Sequence, residues 1–250
     1  MPSESKKDFR ELLDGKLPPW VLRFVKLTGK AVNRYEMIKK DENVLLAVSG
    51  GKDSLALALA LSLRRRWIKD RYGISALMIN WIEHPIPDEY RVSLKEYFKA
   101  LDIEFEILDE RQFSSEKEED YNCYICSRNR RRILFEYAER NSARLIAMGH
   151  HLDDFVETAI INQCFHSRLY PMKPVQEFFD GKIKVIRPMI EVHESVTRRL
   201  ANEYNLPVIK PVCPYDQTNI RAKVKPIVRE LVRLNSLSRE HIYDSFNLKG

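Results

Sequence analysis

Val44-Leu45-Leu46-Ala47-Val48-Ser49-Gly50-Gly51-Lys52-Asp53-Ser54 is the stretch on which the fold turns. Its first five residues form a short apolar run of the kind that makes a buried parallel strand. Ser49-Gly50-Gly51 breaks the run, and Asp53 to Arg66 reads as a helix. Working outward, strands are expected at Ser75–Trp81, Glu104–Leu108, Arg144–Met148 and Lys184–Ile186. Helices are expected at Asp88–Leu101, Ser127–Arg140 and Asp153–Cys164, then near 193–204 and 219–233. Upstream, residues 19–40 read as one helix with Pro19 in its first turn, and the first dozen residues as a frayed or basic extension. Strands alternating with helices predict an α/β fold with a parallel sheet and helices on both faces. Ligands in such sheets bind beyond the carboxyl ends of strands at the point where strand order reverses. Chemistry is therefore expected in the loops after strands one, two and four.

The chain has 250 residues, 44% hydrophobic and 31% charged, which is ordinary for a globular protein and excludes dominant disorder. The longest apolar candidate, Leu55 to Leu63, ends in Arg64-Arg65-Arg66 and is far short of the roughly 20 residues that span a bilayer. Residues Met1 to Arg10 carry no apolar signal core, so a cytoplasmic protein without a membrane partner is expected. A net charge of +6 and a pI near 9.0 suit a polyanionic partner such as nucleic acid.

Two glycines after the first strand let the backbone turn sharply and approach a ligand. The helix start beyond them offers unpaired N–H groups and a positive dipole end, a suitable cradle for phosphate. Ser49 and Ser54 add hydroxyls and Lys52 adds a cation. Asp53 either caps the helix or holds Mg²⁺ against a phosphate. The spacing is not that of a Walker A loop. A second glycine loop, Gly149-His150-His151-Leu152-Asp153-Asp154, follows the fourth strand. Capping explains one of its carboxylates; two adjacent His and two Asp beside the first strand read better as a site.

Cysteines stand at 123, 126, 164 and 213. Cys123-Tyr124-Ile125-Cys126 opens into Ser127-Arg128-Asn129-Arg130-Arg131-Arg132, and Cys213 lies in Pro211-Val212-Cys213-Pro214-Tyr215. Zinc would need a fourth ligand, from a His. A redox pair is a second reading. In a third, three cysteines hold a [4Fe–4S] cluster and leave one iron open. Cys164 follows Val156, Ile160 and Ile161 on a helical face and reads as a small buried hydrophobe.

The Ser-Gly-Gly-x-Asp-Ser loop and the Gly-His-x-x-Asp-Asp loop resemble the pyrophosphatase loops of enzymes that cleave ATP to AMP and pyrophosphate. With the Cys-x-x-Cys-Ser-Arg-x-Arg-Arg run and the later Cys, in that order over residues 20–235, the chain resembles the tRNA 2-thiocytidine synthetase family and its tRNA 2-thiouridine synthetase relatives. The resemblance implies a Rossmann-like, adenine nucleotide alpha hydrolase-like ATP pyrophosphatase domain at 41–192. A helical N-terminal extension at 1–40 and a helical region at 193–250 carrying the third Cys would flank it. It implies ATP and Mg²⁺ held by Ser49, Gly50, Gly51, Lys52, Asp53, Ser54, Gly149 and His150. Asp53, Asp154, Lys52 and Arg130 would be catalytic, and Cys123, Cys126 and Cys213 would hold a [4Fe–4S] cluster. Implied partners are tRNA, a sulfide or persulfide donor and a second copy of the chain. Arg130 stands where the thiouridine branch places a Lys. The absence of cysteine before 123 or after 213 fits the thiocytidine branch, whereas Cys213-Pro214-Tyr215 and Arg221-Ala222-Lys223 look nearer the thiouridine branch. Thiolation of a cytidine is the expected activity, with a uridine, or a small-molecule ATP pyrophosphatase, as alternatives. Of the basic runs, Arg128–Arg132, Arg198–Arg199 and Lys223–Lys225 are candidates for the tRNA backbone, and Arg64–Arg66 reads as a solvated helix face. Trp20 and Phe24 suit either an interface or the core.

Overall fold

The computed structural model describes residues 7–69, 71–112, 123–209 and 220–248. In chain order the elements are α1 (Glu11–Asp14), α2 (Pro19–Arg34), β1 (Asn43–Val48), α3 (Lys52–Trp67), β2 (Gly73–Trp81), α4 (Asp88–Ala100), β3 (Glu104–Glu110) and α5 (Cys123–Arg140). They continue with β4 (Leu145–Met148), α6 (Leu152–His166), β5 (Val175–Phe178), β6 (Ile183–Ile186), α7 (Glu194–Glu203), α8 (Ile220–Leu234) and α9 (Ser238–Ser245). The strands form one sheet in the order β3-β2-β1-β4-β6-β5. All neighbours run parallel except β5, which pairs antiparallel with β6. The α/β class expected from the alternation is what the chain adopts. The order reverses at β1: the chain goes first to β2 and β3, then returns to β4 on the other side, so the carboxyl ends of β1 and β4 flank the switch point.

Alternate side chains of each strand feed two cores, as the period of two requires. Val44, Leu46 and Val48 of β1, with Ile74, Ala76 and Met78 of β2, face the core packed by α2, α3, α4, α6 and α7. Leu45, Leu77, Ile79 and Trp81 face the other core, against Ile133, Leu134 and Ala138 of α5. Helix α3 is buried on all sides. Its Leu-Ala alternation from Leu55 to Leu63 mimics a strand pattern, but small and large residues there pack a helix covered from every direction. Each of its fully buried leucines contributes roughly 1.5–3 kcal/mol from burial.

Several expectations are corrected. The helix expected over 19–40 ends at Arg34, because Glu36 turns into the left-handed region (φ 46°) and the Met37 amide closes back on the Val32 carbonyl. The start of the chain is not frayed over its described part: Phe9 and Leu12 are buried, and the Phe9 ring packs 4.7 Å from Tyr97. The strand at Ile183–Ile186 is the sixth; β5 before it is a short antiparallel edge strand that four residues of unremarkable composition did not announce. Cys164 is exposed, since it sits in the last turn of α6 where the helix leaves the core. Arg64–Arg66 is not a solvated face. Arg64 donates to Asn33, Arg65 to the Leu101 and Asp102 carbonyls, and Arg66 to the Leu13 carbonyl, tying α3 to three neighbouring segments. Phe24 is buried and Trp20 lies under the Arg199 guanidinium, so both belong to packing. Among the described residues no helix is long and apolar enough to cross a membrane.

Candidate active site

Ser49–Ser54 joins β1 to α3 and is a self-bonded cradle. The Ser54 hydroxyl donates to the Gly51 carbonyl (2.9 Å) and accepts from the Ser49 amide (3.3 Å), and the Gly51 amide donates to Ser49 Oγ (3.2 Å). Gly50 has φ 76°, and its carbonyl accepts from the Ile209 amide at 2.9 Å. A Cβ there would strike Ile209 Cδ1 at 2.6 Å, so position 50 admits only glycine without rebuilding. No side chain caps α3, which leaves the amides of its first turn available to an anion.

Gly149 lets β4's loop press onto this cradle. A Cβ at 149 would lie 2.9 Å from the Asp53 carbonyl carbon and the Ser54 amide. His151 and Asp154 then form a reciprocal capping box at the start of α6. His151 Nδ1 accepts from the Asp154 amide (3.2 Å) and Asp154 Oδ2 accepts from the His151 amide (3.0 Å). With Nδ1 used as an acceptor, the His151 proton belongs on Nε2, which faces Asp53 Oδ1 at 3.7 Å. Burial alone would raise the Asp154 carboxyl, but His151, His150, Arg221 and the His151 amide outweigh it and hold it below the ordinary range. Burial pushes His150 down to about 4, so it is neutral at physiological pH. Asp153 turns the other way, accepting from the Glu194 amide (2.7 Å) and pairing with Arg239.

The two loops open onto a cleft of about 550 Å³, a size that suits a nucleotide. Ser49, Ser54, Asp53, Gly149, His150 and Asp154 line it from the strand ends, and Arg130 and Arg131 line it from α5. Arg130 also lies over the Trp81 ring at 5.5 Å. Lys52 is not among the lining residues. Its ammonium is bound by Asp53 Oδ2 (2.8 Å) and Glu194 Oε1 (3.0 Å); burial opposes its charge, but Asp53 and Glu194 prevail and raise its pKa. Asp53 Oδ1 receives the Thr197 hydroxyl at 2.6 Å, so this carboxylate is fixed from both sides.

The cysteine pair enters from the loop after β3, not from strands one, two or four. Position 123 begins α5, and residues 127, 130, 131 and 134 of the same helix line the cleft. Cys126 is partly buried, and Gln112 Nε2 donates to its sulfur at 3.3 Å. A half-buried sulfur receiving an amide N–H fits a thiolate ligand of a soft metal centre. Cys213, with Pro211-Val212 and Pro214-Tyr215, lies outside the described residues. Sequence reasoning missed Thr197, Glu194 and Arg187 and did not place Arg221 in the cleft. Arg187 had one signal, a cation directly after the apolar end Val185-Ile186 of a strand.

The chain matches a family model described as a PP-loop domain over residues 23–240. It is 35% identical over 213 residues to a tRNA-cytidine(32) 2-sulfurtransferase of Janthinobacterium sp. (strain Marseille), covering 83% of this chain and 66% of that protein. It is 32% identical over 230 residues to the protein of that name from Herminiimonas arsenicoxydans, covering 90% of this chain and 71% of the relative. The chain thus spans about two thirds of the length of these curated relatives. Among solved structures it superposes on the U34-tRNA thiolase of Methanococcus maripaludis, a structure that includes a [4Fe–4S] cluster, with a TM-score of 0.74 and 22% identity. That match covers 91% of this chain and 78% of the other. With the glycine cradle at β1, the capped loop at β4 and this match over most of its length, the chain belongs to the PP-loop family and is a relative of the tRNA-cytidine(32) 2-sulfurtransferases.

Proposed function

We propose that the protein is an ATP-dependent tRNA sulfurtransferase that replaces the C2 oxygen of a cytidine with sulfur. The observation that carries this reading is one cleft lined by the phosphate cradle, two carboxylates and two arginines of the helix that begins with the cysteine pair. A small-molecule ATP pyrophosphatase would use the cradle and leave the cysteines without work. The uridine alternative keeps the Cys213-Pro214-Tyr215 and Arg221-Ala222-Lys223 segments in its favour, whereas curated relatives at 32–35% identity carry the cytidine name.

ATP lies with its phosphates against Ser49, Gly50, Gly51 and Ser54, where unpaired amides and the α3 dipole favour anions. Asp53 and Asp154 would hold Mg²⁺, which would supply charge neutralisation to the phosphates. Lys52 holds Asp53 in place through its contact with Oδ2. Arg130 faces the charge that develops at the α-phosphate, and the neutral His150 beside Gly149 contacts the nucleotide. The C2 oxygen of the base attacks the α-phosphate and pyrophosphate leaves. Hydrosulfide then attacks C2 and AMP leaves with that oxygen. The exchange is redox-neutral, whereas a persulfide would need a two-electron reductant. Cys123, Cys126 and Cys213 would hold a [4Fe–4S] cluster, which would supply a soft site for sulfide. The PP-loop unit occupies 41–192 between helical extensions at 1–40 and 193–250. Work on tRNA places the protein in the cytoplasm, as a homodimer by the resemblance.

A basic groove continues from the cleft across the outer side of α5. Arg128, Arg131, Arg132, Arg144 and Lys182 line it beside the exposed Phe179 ring, against the three acids Glu136, Glu139 and Asp180, and Arg131 belongs to both. RNA backbone along this groove, with a splayed base entering the cleft, follows the usual way in which single-stranded bases are presented.

The test is a thionucleoside profile of bulk tRNA from cells with and without the protein, by mass spectrometry. Loss of 2-thiocytidine, restored by wild type but not by D53N or C126A, is expected. An unchanged profile overturns the reading, and loss of a 2-thiouridine instead moves the target base.

A further inference from the structure

Among the described residues, Arg187 is a buried cation without a counter-ion. It stands at the carboxyl end of β6, is 8% exposed, and lines the cleft. Its Nη1 donates to the Lys173 carbonyl (2.6 Å) and its Nη2 to Gln176 Oε1 (3.3 Å), both neutral acceptors. Its Nε is buried and has no partner. Among the described residues no carboxylate lies within 4.0 Å of this guanidinium, and none pairs with Arg131 in the same cleft. Burial and then the Arg131 charge push the Arg187 pKa down to about 10, so it remains cationic at neutral pH. A buried, unpaired guanidinium near a second cation is unfavourable unless an anion completes it. His150 Nδ1, also buried and unpartnered, lines the same wall.

We propose that Arg187 and Arg131 form an anion subsite on the β6 side of the cleft that binds a nucleotide phosphate oxyanion, distinct from the Ser49–Ser54 cradle. The planar fork of Arg187 matches phosphate geometry, and its free Nε is a further donor. Strand β4 lies between β1 and β6, so Arg187 starts two strand spacings, about 10 Å, from the cradle. That separation gives the cleft two anion positions, one for the leaving pyrophosphate portion and one for a phosphate that stays. The second phosphate belongs either to the α-position of ATP or to the backbone of the acceptor nucleotide. The subsite rests on the reading of the cleft as a nucleotide site.

The experiment compares wild type, R187M and R187K for affinity towards Mg·ATP and, separately, towards a synthetic anticodon stem–loop RNA, with melting temperatures of the ligand-free proteins. R187M is expected to weaken one ligand about 10- to 100-fold, the loss for a charged hydrogen bond, and to leave the other unchanged. R187K should retain part of that affinity, and it carries the test if R187M does not fold. Loss confined to ATP assigns the α-phosphate. Loss confined to RNA, with a salt dependence shallower by about one phosphate contact, assigns the acceptor backbone. Unchanged affinities for both in a folded variant overturn the subsite alone. Equal loss of both with a lowered melting temperature marks a packing role and overturns it too. Wild type that binds neither ligand overturns the reading of the cleft, and the subsite with it.

Discussion

Asp153 and Asp154 are neighbours with opposite work. Asp154 closes the cap with His151 and faces the cleft, while Asp153 faces α7 and α9, accepting from the Glu194 amide and pairing with Arg239. One turn on, Glu157 is buried beside Asp154 and its carboxyl is pushed up to about 7, by burial first and by Asp154 second. An acid raised in the folded state binds its proton more tightly there than in the unfolded chain. Its stabilising contribution is complete below the ordinary value of 4.5 and is lost as pH rises through about 7. Ligand-free wild type should therefore lose up to about 3 kcal/mol from this group between about pH 4.5 and pH 8. E157Q should match wild type near pH 4.5 and exceed it near pH 8, as melting curves across that range would read. Parallel pH profiles for the two proteins would refute the assignment. At this scale the sequence marked the Asp pair but could not divide it, because the partners that separate the two carboxylates lie some 40 or more residues away. Lys52 is the same case: its spacing promised a phosphate contact, and Glu194, far along the chain, claims its ammonium.

At the scale of elements, the cleft depends on how closely the β4 loop meets the first turn of α3. Gly149 makes that contact against backbone atoms, which cannot rotate aside as a side chain would. G149A should cost about 1–3 kcal/mol of stability by overpacking. It should also weaken ATP binding by at least ~10-fold, because displacement of the cradle by even a fraction of an ångström degrades a preorganised site. Thermal melts and ATP titration check both; a variant that binds ATP normally would show that the two loops do not act together. These two loops were the most legible part of the chain. Each pairs an apolar run with a glycine break and a helix start, signals confined to a dozen residues. Strand β5 and helix α9 were not legible. β5 is four residues long and pairs only with β6 at the sheet edge, and α9 is held by tertiary contacts such as Phe155 against Tyr243 at 4.8 Å. Cys164 misled because its helical spacing matched the buried face, and periodicity does not say where a helix leaves the core.

Across the whole molecule, the net charge of +6 divides into two populations that composition cannot separate. Arg64, Arg65 and Arg66 bond internally to carbonyls and side chains of α2, the turn after α4 and the N-terminal segment. Arg128, Arg144 and Lys182 line the groove beside α5 and form no ion pair among the described residues. The division follows from position. A basic run at the end of a buried helix meets backbone carbonyls that need donors, whereas one on the outer face of α5 meets solvent. Of these two populations, RNA affinity should therefore depend on the second. The double variant R144A/K182A should bind a stem–loop RNA about 3- to 10-fold more weakly and show a salt slope shallower by about 1–2, with its melting temperature unchanged. R66A should do the reverse. Loss of its bond to the Leu13 carbonyl should cost about 1–2 kcal/mol of stability and leave RNA affinity as it was. The two measurements fix the direction of the RNA path. If R66A weakened RNA binding and the groove variant did not, the backbone would run over the α3 side of the sheet, and the base would have to reach the cleft from beneath the strand ends, where α3 and its buried leucines leave no opening.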